Sequence, residues 1–325
     1  MPRHLVERLA QALRHHIAPS LGEHAGRRPL EAGAGGDVTF AIDRDAEQFL
    51  ESYINEHAPG TAFYSEDRGL VVPGHGLSDI PTFAAEQKSA SVLLVDPIDG
   101  TRPAMAGLES CCVSVAEAAL GNGSPTMGDV RVGCIVEIKS GITFLAERGA
   151  GVEIRHGTRV LETCLSANRD LSSLFWTAGF RGRPAAPLIE VIGELIDISS
   201  VRGGFFDLGS ATFDMTRILT GQLDAYLDVG SLMIDKLPKL RERFEQVGGG
   251  AVLNNSPYDL AAAVLCLEEG GVVVTDALGD SLHQRPLLGS GHEFQMSCVA
   301  ASDARLHSDL IGIVQDGIRR LLANF

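Results

Sequence analysis

The chain has 325 residues, is 45% hydrophobic and 21% charged, and carries 27 Lys and Arg against 42 Asp and Glu, a net charge of −15. Such a chain is long enough to bury a core without staples, and it is neither disordered, collagenous nor coiled-coil in composition. The acidic balance lacks the dense basic stripe of a nucleic-acid binder, so no nucleic-acid partner is expected, although metal ions would still let an acidic surface hold phosphate. The six cysteines, at 111, 112, 134, 164, 266 and 298, form no CxxC pair and read as reduced, mostly buried thiols. Met-Pro-Arg-His opens the chain with no apolar signal core behind it, and no run reaches the 18 apolar residues of a membrane span. A soluble, cytoplasmic protein without a membrane partner is the expectation.

Leu5, Leu9, Leu13 and Ile17 recur every four residues and predict an amphipathic opening helix. A Gly-rich stretch, 31–37, follows. Ala46, Phe49, Leu50, Tyr53 and Ile54 share one face of a second helix starting near Asp43. Thr61 to Tyr64 reads as a short strand leading into Ser65-Glu66-Asp67, and residues 68–90, rich in Gly, Pro and Ser, read as a loop or insertion. Ser91 to Val95 is a buried-strand candidate, and 110–119, 129–138 and 142–147 are further strands, giving a sheet-rich block over 91–155. From about 166 the pattern alternates. A strand near 173–177, helices near 186–197 and 210–220, a strand at 223–228, a helix near 257–269 and a strand at 271–275 predict an α/β second half. Leu306, Leu310, Ile313, Val314, Ile318, Leu321 and Leu322 form a closing helix.

Four segments carry chemistry. Asp96-Pro97-Ile98-Asp99-Gly100-Thr101 follows an apolar strand; its two carboxylates, three residues apart on a proline-stiffened turn, suit a hard cation such as Mg²⁺. Gly100 permits close backbone approach, and its N–H with that of Thr101 suits a phosphate at the start of a helix containing Pro103. Taken alone this is also an ordinary Asp-Pro turn. Glu66-Asp67 is an acidic pair at a strand end, which alone is usually solvated. Asp259 opens an apolar helix that stops at Gly270-Gly271, and its plain reading is a helix N-cap. Thr39 and Asp43, four apart, suit the holding and deprotonation of a water, or again a helix cap.

Together and in this order, the four resemble the signature of the inositol monophosphatase and fructose-1,6-bisphosphatase superfamily of Mg²⁺-dependent, lithium-sensitive phosphatases. The matching residues are Thr39 and Asp43, Glu66-Asp67, Asp96 to Thr101, Gly209-Ser210-Ala211 and Tyr258-Asp259-Leu260-Ala261-Ala262, over roughly 36–280. The resemblance implies a layered αβαβα sandwich of the α/β class. An α+β domain over 1–165 would carry most metal ligands and the water-activating pair. An α/β domain over 166–325 would carry Asp259 and the leaving-group pocket. It implies Glu66, Asp96, Asp99, Asp259 and the Ile98 carbonyl as ligands to two or three Mg²⁺ ions. Asp43 and Thr101 would activate the water, with Glu66 alongside them in the catalytic set. Gly100, Thr101, Gly209, Ser210, Ala211 and Asp259 would face the substrate. The implied activity is hydrolysis of a phosphomonoester on a small polyol or sugar by in-line water attack. The alternatives are a 3′(2′),5′-bisphosphate nucleotidase and a non-catalytic binder of phosphorylated metabolites. The expected partner is a small phosphorylated metabolite, with a second copy of the chain possible.

The departures fall where substrate is contacted. Arg102-Pro103-Ala104 replaces the usual x-Asn-Phe, Tyr258 the Trp, and Phe206 a common Arg. The basic residue that inositol enzymes carry upstream of the Thr39 segment has no counterpart in the stretch Glu31 to Gly36. The long stretch 230–256 carries Lys236, Lys239, Arg241 and Arg243, by default a solvated face, otherwise a phosphate-binding lid.

Overall fold

The computed structural model describes residues 2–34, 36–72, 76–77, 83, 91–121, 124–289 and 291–324. Helix α1 (Pro2–Ile17) buries Val6, Leu9, Ala10, Leu13 and Ile17, as its periodicity predicts. A two-stranded antiparallel pair, β1 (Pro29–Ala32) and β2 (Val38–Phe40), brackets the Gly-rich segment and leads into α2 (Ala41–His57). Strands β3 (Ala62–Ser65), β4 (Gly69–Val72), β5 (Gly76–Leu77) and β6 (Ser91–Asp99) follow. The stretch 68–90 is therefore not simply a loop: β4 and β5 extend the sheet as an antiparallel meander beyond β3. Residues 73–75, 78–82 and 84–90 lie outside the described residues. After the short helix α3 (Thr101–Ala106) come β7 (Cys112–Ala119), β8 (Val130–Glu137), β9 (Ile142–Glu147), β10 (Gly151–His156) and β11 (Arg159–Leu161).

The second half opens with β12 (Phe175–Ala178), α4 (Ala185–Ser199), β13 (Gly204–Phe206), α5 (Ala211–Leu219) and β14 (Ala225–Asp228). Two short helices, α6 (Gly230–Lys236) and α7 (Arg241–Val247), fill most of the long basic stretch. Then come α8 (Pro257–Glu269), β15 (Val273–Thr275), β16 (Cys298–Ala301) and α9 (Ala304–Asn324). Two larger sheets result, of nine strands in the order β11-β10-β9-β8-β7-β6-β3-β4-β5 and of five in the order β13-β12-β14-β16-β15.

The layers follow from which faces are apolar. In β6, Leu93 and Val95 join the core shared with α1 and α2, while Val92 and Leu94 join the opposite core. A strand buried on both faces needs a continuous apolar run, and Ser91–Val95 supplies it. The second core holds α5 and α8 between the two sheets, with Leu260 to Leu267 of α8 buried on all sides. There β8 comes so close to α8 that a Cβ on Gly133 would sit 3.0 Å from the Ala262 backbone. The third core packs α4 and α9 on the far face of the five-stranded sheet around Trp176. The result is an αβαβα sandwich of the α/β class. The chain passes from one sheet to the other between β11 and β12, yet the middle helix layer is common to both. All six cysteines are free thiols, five buried and Cys164 exposed. Among the described residues, no helix is long and apolar enough to cross a membrane.

A buried ion pair ties the layers together. Arg217 of α5, 7% exposed, pairs with Glu137 of β8, 3% exposed, and its guanidinium lies 4.3 Å from the Phe213 ring centre. Removing one partner strands a charge, whereas replacing both with apolar groups does not. Arg217→Met should therefore lower the unfolding free energy by about 3 kcal/mol or more. The double variant Glu137→Leu/Arg217→Met should recover most of that loss. Urea unfolding of both variants checks this; equal losses in single and double variants would mean that the pair does not carry the effect.

Candidate active site

Two carboxylates three residues apart on a regular strand point to opposite faces. Here the β6–β7 register shifts between Asp96, opposite Ser114, and Asp99, opposite Cys112. The extra residue acts as a bulge and turns both side chains to one side. The Ile98 N–H donates to Asp96 Oδ1 at 2.9 Å and closes the turn. Gly100 then adopts φ +89°, and a Cβ there would lie 2.6 Å from the Ser110 carbonyl oxygen, so the position requires glycine. Thr101 begins α3, with Pro103 in the first turn as expected.

Two more acids arrive on helix first turns, in the same way. Asp43 is the third residue of α2 rather than its start, and its Oδ2 accepts the Phe40 N–H at 2.8 Å. Asp259 is the third residue of α8, and its Oδ2 accepts the Ser256 N–H at 2.6 Å; Ser256, not Asp259, is the N-cap. In each case one oxygen closes the helix end. Asp43 turns its other oxygen, Oδ1, to the Thr101 hydroxyl, which donates to it at 2.9 Å. Asp96, Asp99 and Asp259 each present an oxygen, all within 4.8 Å of one another, and Glu66 lines the same cleft. The Ile98 carbonyl lies 3.2 Å from Thr101 Oγ1, also in this cleft.

Burial and mutual repulsion govern the charges. Burial pushes Asp43 up to about 7, against the Phe40 and Thr101 hydrogen bonds that favour its anion. Burial, reinforced by the charge of Asp99, pushes Asp259 up to about 7. Glu66 stands well above the usual carboxylate range, through burial and then the charges of Asp259 and Asp43. So does Asp96, through burial and then Glu66 and Asp99. Burial raises Asp99 too, but Thr212 and Ser210 oppose it: the Ser210 hydroxyl at 2.9 Å, the Thr212 N–H at 2.6 Å and the Thr212 hydroxyl all donate to Asp99 Oδ2.

Two expectations change. Thr39 does not pair with Asp43; its hydroxyl donates to Asp67 Oδ1 at 2.7 Å, and the Asp67 N–H donates to Glu47 at 3.3 Å. Gly209, Ser210 and Ala211 do line the cleft, but the Ser210 hydroxyl is taken up by Asp99 and by capping α5. The four basic residues of 230–256 are exposed, as their default reading as a solvated face has it, and do not line the acidic cleft as a lid would. Lys239 and Arg243 line a separate groove with Pro184 to Pro187, and Arg241 pairs with Glu245 at 2.8 Å. What that stretch delivers is its end, Leu253 to Ser256, in the cleft wall.

Other site residues escaped the sequence. Arg181, in the loop after β12, reaches into the cleft and pairs with Asp37 at 2.8 Å, while Arg102, 3.7 Å from the same carboxylate, lies over the Phe40 ring. The site thus has basic residues, though none upstream of Thr39. The one available signal was Arg181-Gly182-Arg183 in the loop that follows a strand.

The acid cluster fits a divalent cation. Its donors are hard carboxylate oxygens, and among the described residues none of the three that converge is in a salt bridge with Lys, Arg or His. A profile of the inositol monophosphatase family matches residues 4–319. A fructose-1,6-bisphosphatase/inositol-1-monophosphatase of Methanothermobacter thermautotrophicus is 24% identical over 308 residues, 94% of this chain and 93% of that protein. A Nus factor SuhB of Vibrio cholerae is 23% identical, covering 84% of each chain. The structure of a Thermotoga maritima IMPase superposes with a TM-score of 0.65 at 19% identity, covering 98% of both chains.

Raised carboxyl groups make a pH prediction. Asp43 and Asp259, pushed to about 7 in the fold, bind protons there more tightly than in the unfolded chain. Their contribution is complete below about pH 4 and is lost as pH rises through 7. In EDTA the melting temperature should therefore fall between pH 5 and 8. Millimolar Mg²⁺, binding the ionised cluster, should remove that fall. Superimposable melting curves with and without Mg²⁺ across this range would contradict it.

Proposed function

The chain belongs to the inositol monophosphatase family of phosphatases, and from that premise we propose that it is a Mg²⁺-dependent phosphomonoesterase for a small phosphorylated polyol or sugar. The observation that carries this is the Thr101–Asp43 hydrogen bond standing beside three converging carboxylates. In this reading Asp96, Asp99, Asp259 and Glu66, with the Ile98 carbonyl, hold two or three Mg²⁺ ions. Those ions, when bound, neutralise phosphate charge and make a water acidic.

The protein's own residues do the rest. The Thr101 hydroxyl orients the attacking water by accepting from it while donating to Asp43 Oδ1. Asp43, with its pKa near neutrality, receives the proton by way of Thr101. The N–H groups of Gly100 and Thr101 at the start of α3 bind phosphate oxygens. Ser210 and Thr212 hold Asp99 in place by three hydrogen bonds to one oxygen. Gly209 to Ala211 and the free side of Asp259 form the wall toward the leaving group. On this assignment residues 1–165 carry most of the metal ligands and the water-activating pair, and residues 166–325 carry Asp259 and the leaving-group wall. One observation favours a second reading, a bisphosphate nucleotidase: Arg102 and Arg181 flank Asp37 at the cleft and suit a second anionic group.

Two substitutions separate the roles. Asp99→Asn removes a charge from the metal-holding set and should lower kcat/KM by about 10³-fold, some 4 kcal/mol of barrier. Asp43→Asn keeps an acceptor for the Phe40 N–H, so the helix end survives. It should lower kcat by about 10²-fold or more while the Mg²⁺ concentration for half-activity holds. Steady-state kinetics with Mg²⁺ titration measures both; a normal kcat for Asp43→Asn would make Asp43 a helix-end residue only.

A further inference from the structure

Glu66 differs from the other acids of the site in how it is held. Asp43, Asp96, Asp99 and Asp259 each have one oxygen fixed by a backbone N–H, whereas the Glu66 carboxylate accepts no hydrogen bond from a described residue. It stands in the tight turn between β3 and β4, where Ser65 pairs with Gly69, so its direction is set by its two chain neighbours. One side chain holds both of them. Glu47 Oε2 accepts the Ser65 hydroxyl at 2.9 Å, and Glu47 Oε1 accepts the Asp67 N–H at 3.3 Å. Glu47 is 3% exposed and Ser65 is fully buried. Asp67 is held a second time from the β1–β2 segment: the Thr39 hydroxyl donates to its Oδ1 at 2.7 Å, and the Ala34 N–H donates to its carbonyl at 3.3 Å. Gly33 lies so close that a Cβ there would overlap Asp67 Oδ1.

We propose that Glu47 is a positioning residue: by clasping Ser65 and Asp67 it sets the direction of the Glu66 carboxylate, and through it the affinity of the acid cluster for divalent cations. The proposal rests on the metal-holding reading above and adds to it a residue that is not itself a ligand. A carboxylate is costly to bury on a helix face otherwise made of Ile42, Ala46, Leu50 and Ile54, and it persists there only because both oxygens are used. Asp43 and Glu47 are four residues apart and share one face of α2. Asp43 reaches Thr101 and Glu47 reaches the β3–β4 turn, so a single helix places the water-activating group and the Glu66 ligand relative to each other. Ligands oriented by hydrogen-bonded partners bind metal more tightly than ligands that must be ordered on binding. Removing such a partner typically costs about 10- to 100-fold in affinity.

The experiment titrates Mn²⁺ into wild type, Glu47→Met, Glu47→Gln, Ser65→Ala and Leu50→Ala by calorimetry, and records the melting temperature of each without metal. Glu47→Met keeps the length of the side chain and removes both acceptors, so the Kd for Mn²⁺ should rise about tenfold or more. Glu47→Gln keeps an acceptor for the Asp67 N–H and an amide that pairs with the Ser65 oxygen, so it should stay within about threefold of wild type. Ser65→Ala removes one of the two bonds and should fall between them. Leu50→Ala opens a cavity on the same helix, so it should lower the melting temperature and leave the Kd unchanged. A folded Glu47→Met with wild-type affinity overturns the proposal. So does a Leu50→Ala that loses as much affinity as Glu47→Met, which would trace the effect to the stability of α2. Should Glu47→Met not fold, Ser65→Ala decides: a raised Kd supports the proposal and an unchanged one overturns it. If wild type binds no Mn²⁺ at millimolar concentration, the metal-holding reading fails and the proposal falls with it; binding that wild type and all variants share sinks the proposal alone.

Discussion

Several carboxylates buried in one place repel one another and lose their hydration, and the rest of this structure is arranged around that cost. Asp96, Asp99 and Asp259 converge within 4.8 Å with Glu66 alongside, and burial raises every one of them. Without a cation, the cluster escapes repulsion by keeping protons. A divalent cation offers the same relief with the charges retained, so the metal and the acid cluster explain each other.

The fold meets this demand by using backbone N–H groups to hold one oxygen of each aspartate. Asp43 and Asp259 are gripped by the amides three residues before them, and Asp99 by the first turn of α5. Asp96 is held by the Ile98 N–H. The acids come from β6, α2 and α8, elements anchored in different cores, so their separation is set by the packing of the layers. The middle helix layer is therefore central to both stability and chemistry. α5 and α8 are buried between the sheets, and each brings its first turn to the cleft.

What could be read from the sequence was local. Periodicity gave α1, α2 and α9, and apolar runs gave β6 to β9, because each pattern lies within one element. Asp96 to Thr101 was legible for the same reason: its bulge, its positive-φ glycine and its helix start occupy six consecutive residues. The short strands β13 and β16 carry too few residues for a period, and β4 and β5 hid in a glycine-rich context. Contacts between distant segments were not legible. Thr39 to Asp67, Arg181 to Asp37 and the arrival of Leu253 to Ser256 in the cleft wall depend on layers meeting in space. The basic residues of 230–256 stay on a solvated face, their default reading, while the residues that reach the cleft from that stretch are neutral and carry no pattern that marks them.

The central claim is that Asp96, Asp99 and Asp259 are drawn together to hold a metal. Crystals grown with millimolar Mn²⁺ and measured at the manganese absorption edge test it most directly. The account predicts an anomalous peak at coordination distance, about 2–2.5 Å, from oxygens of all three residues. No such peak, with the three carboxyl groups hydrogen-bonded to one another or turned apart, would contradict it.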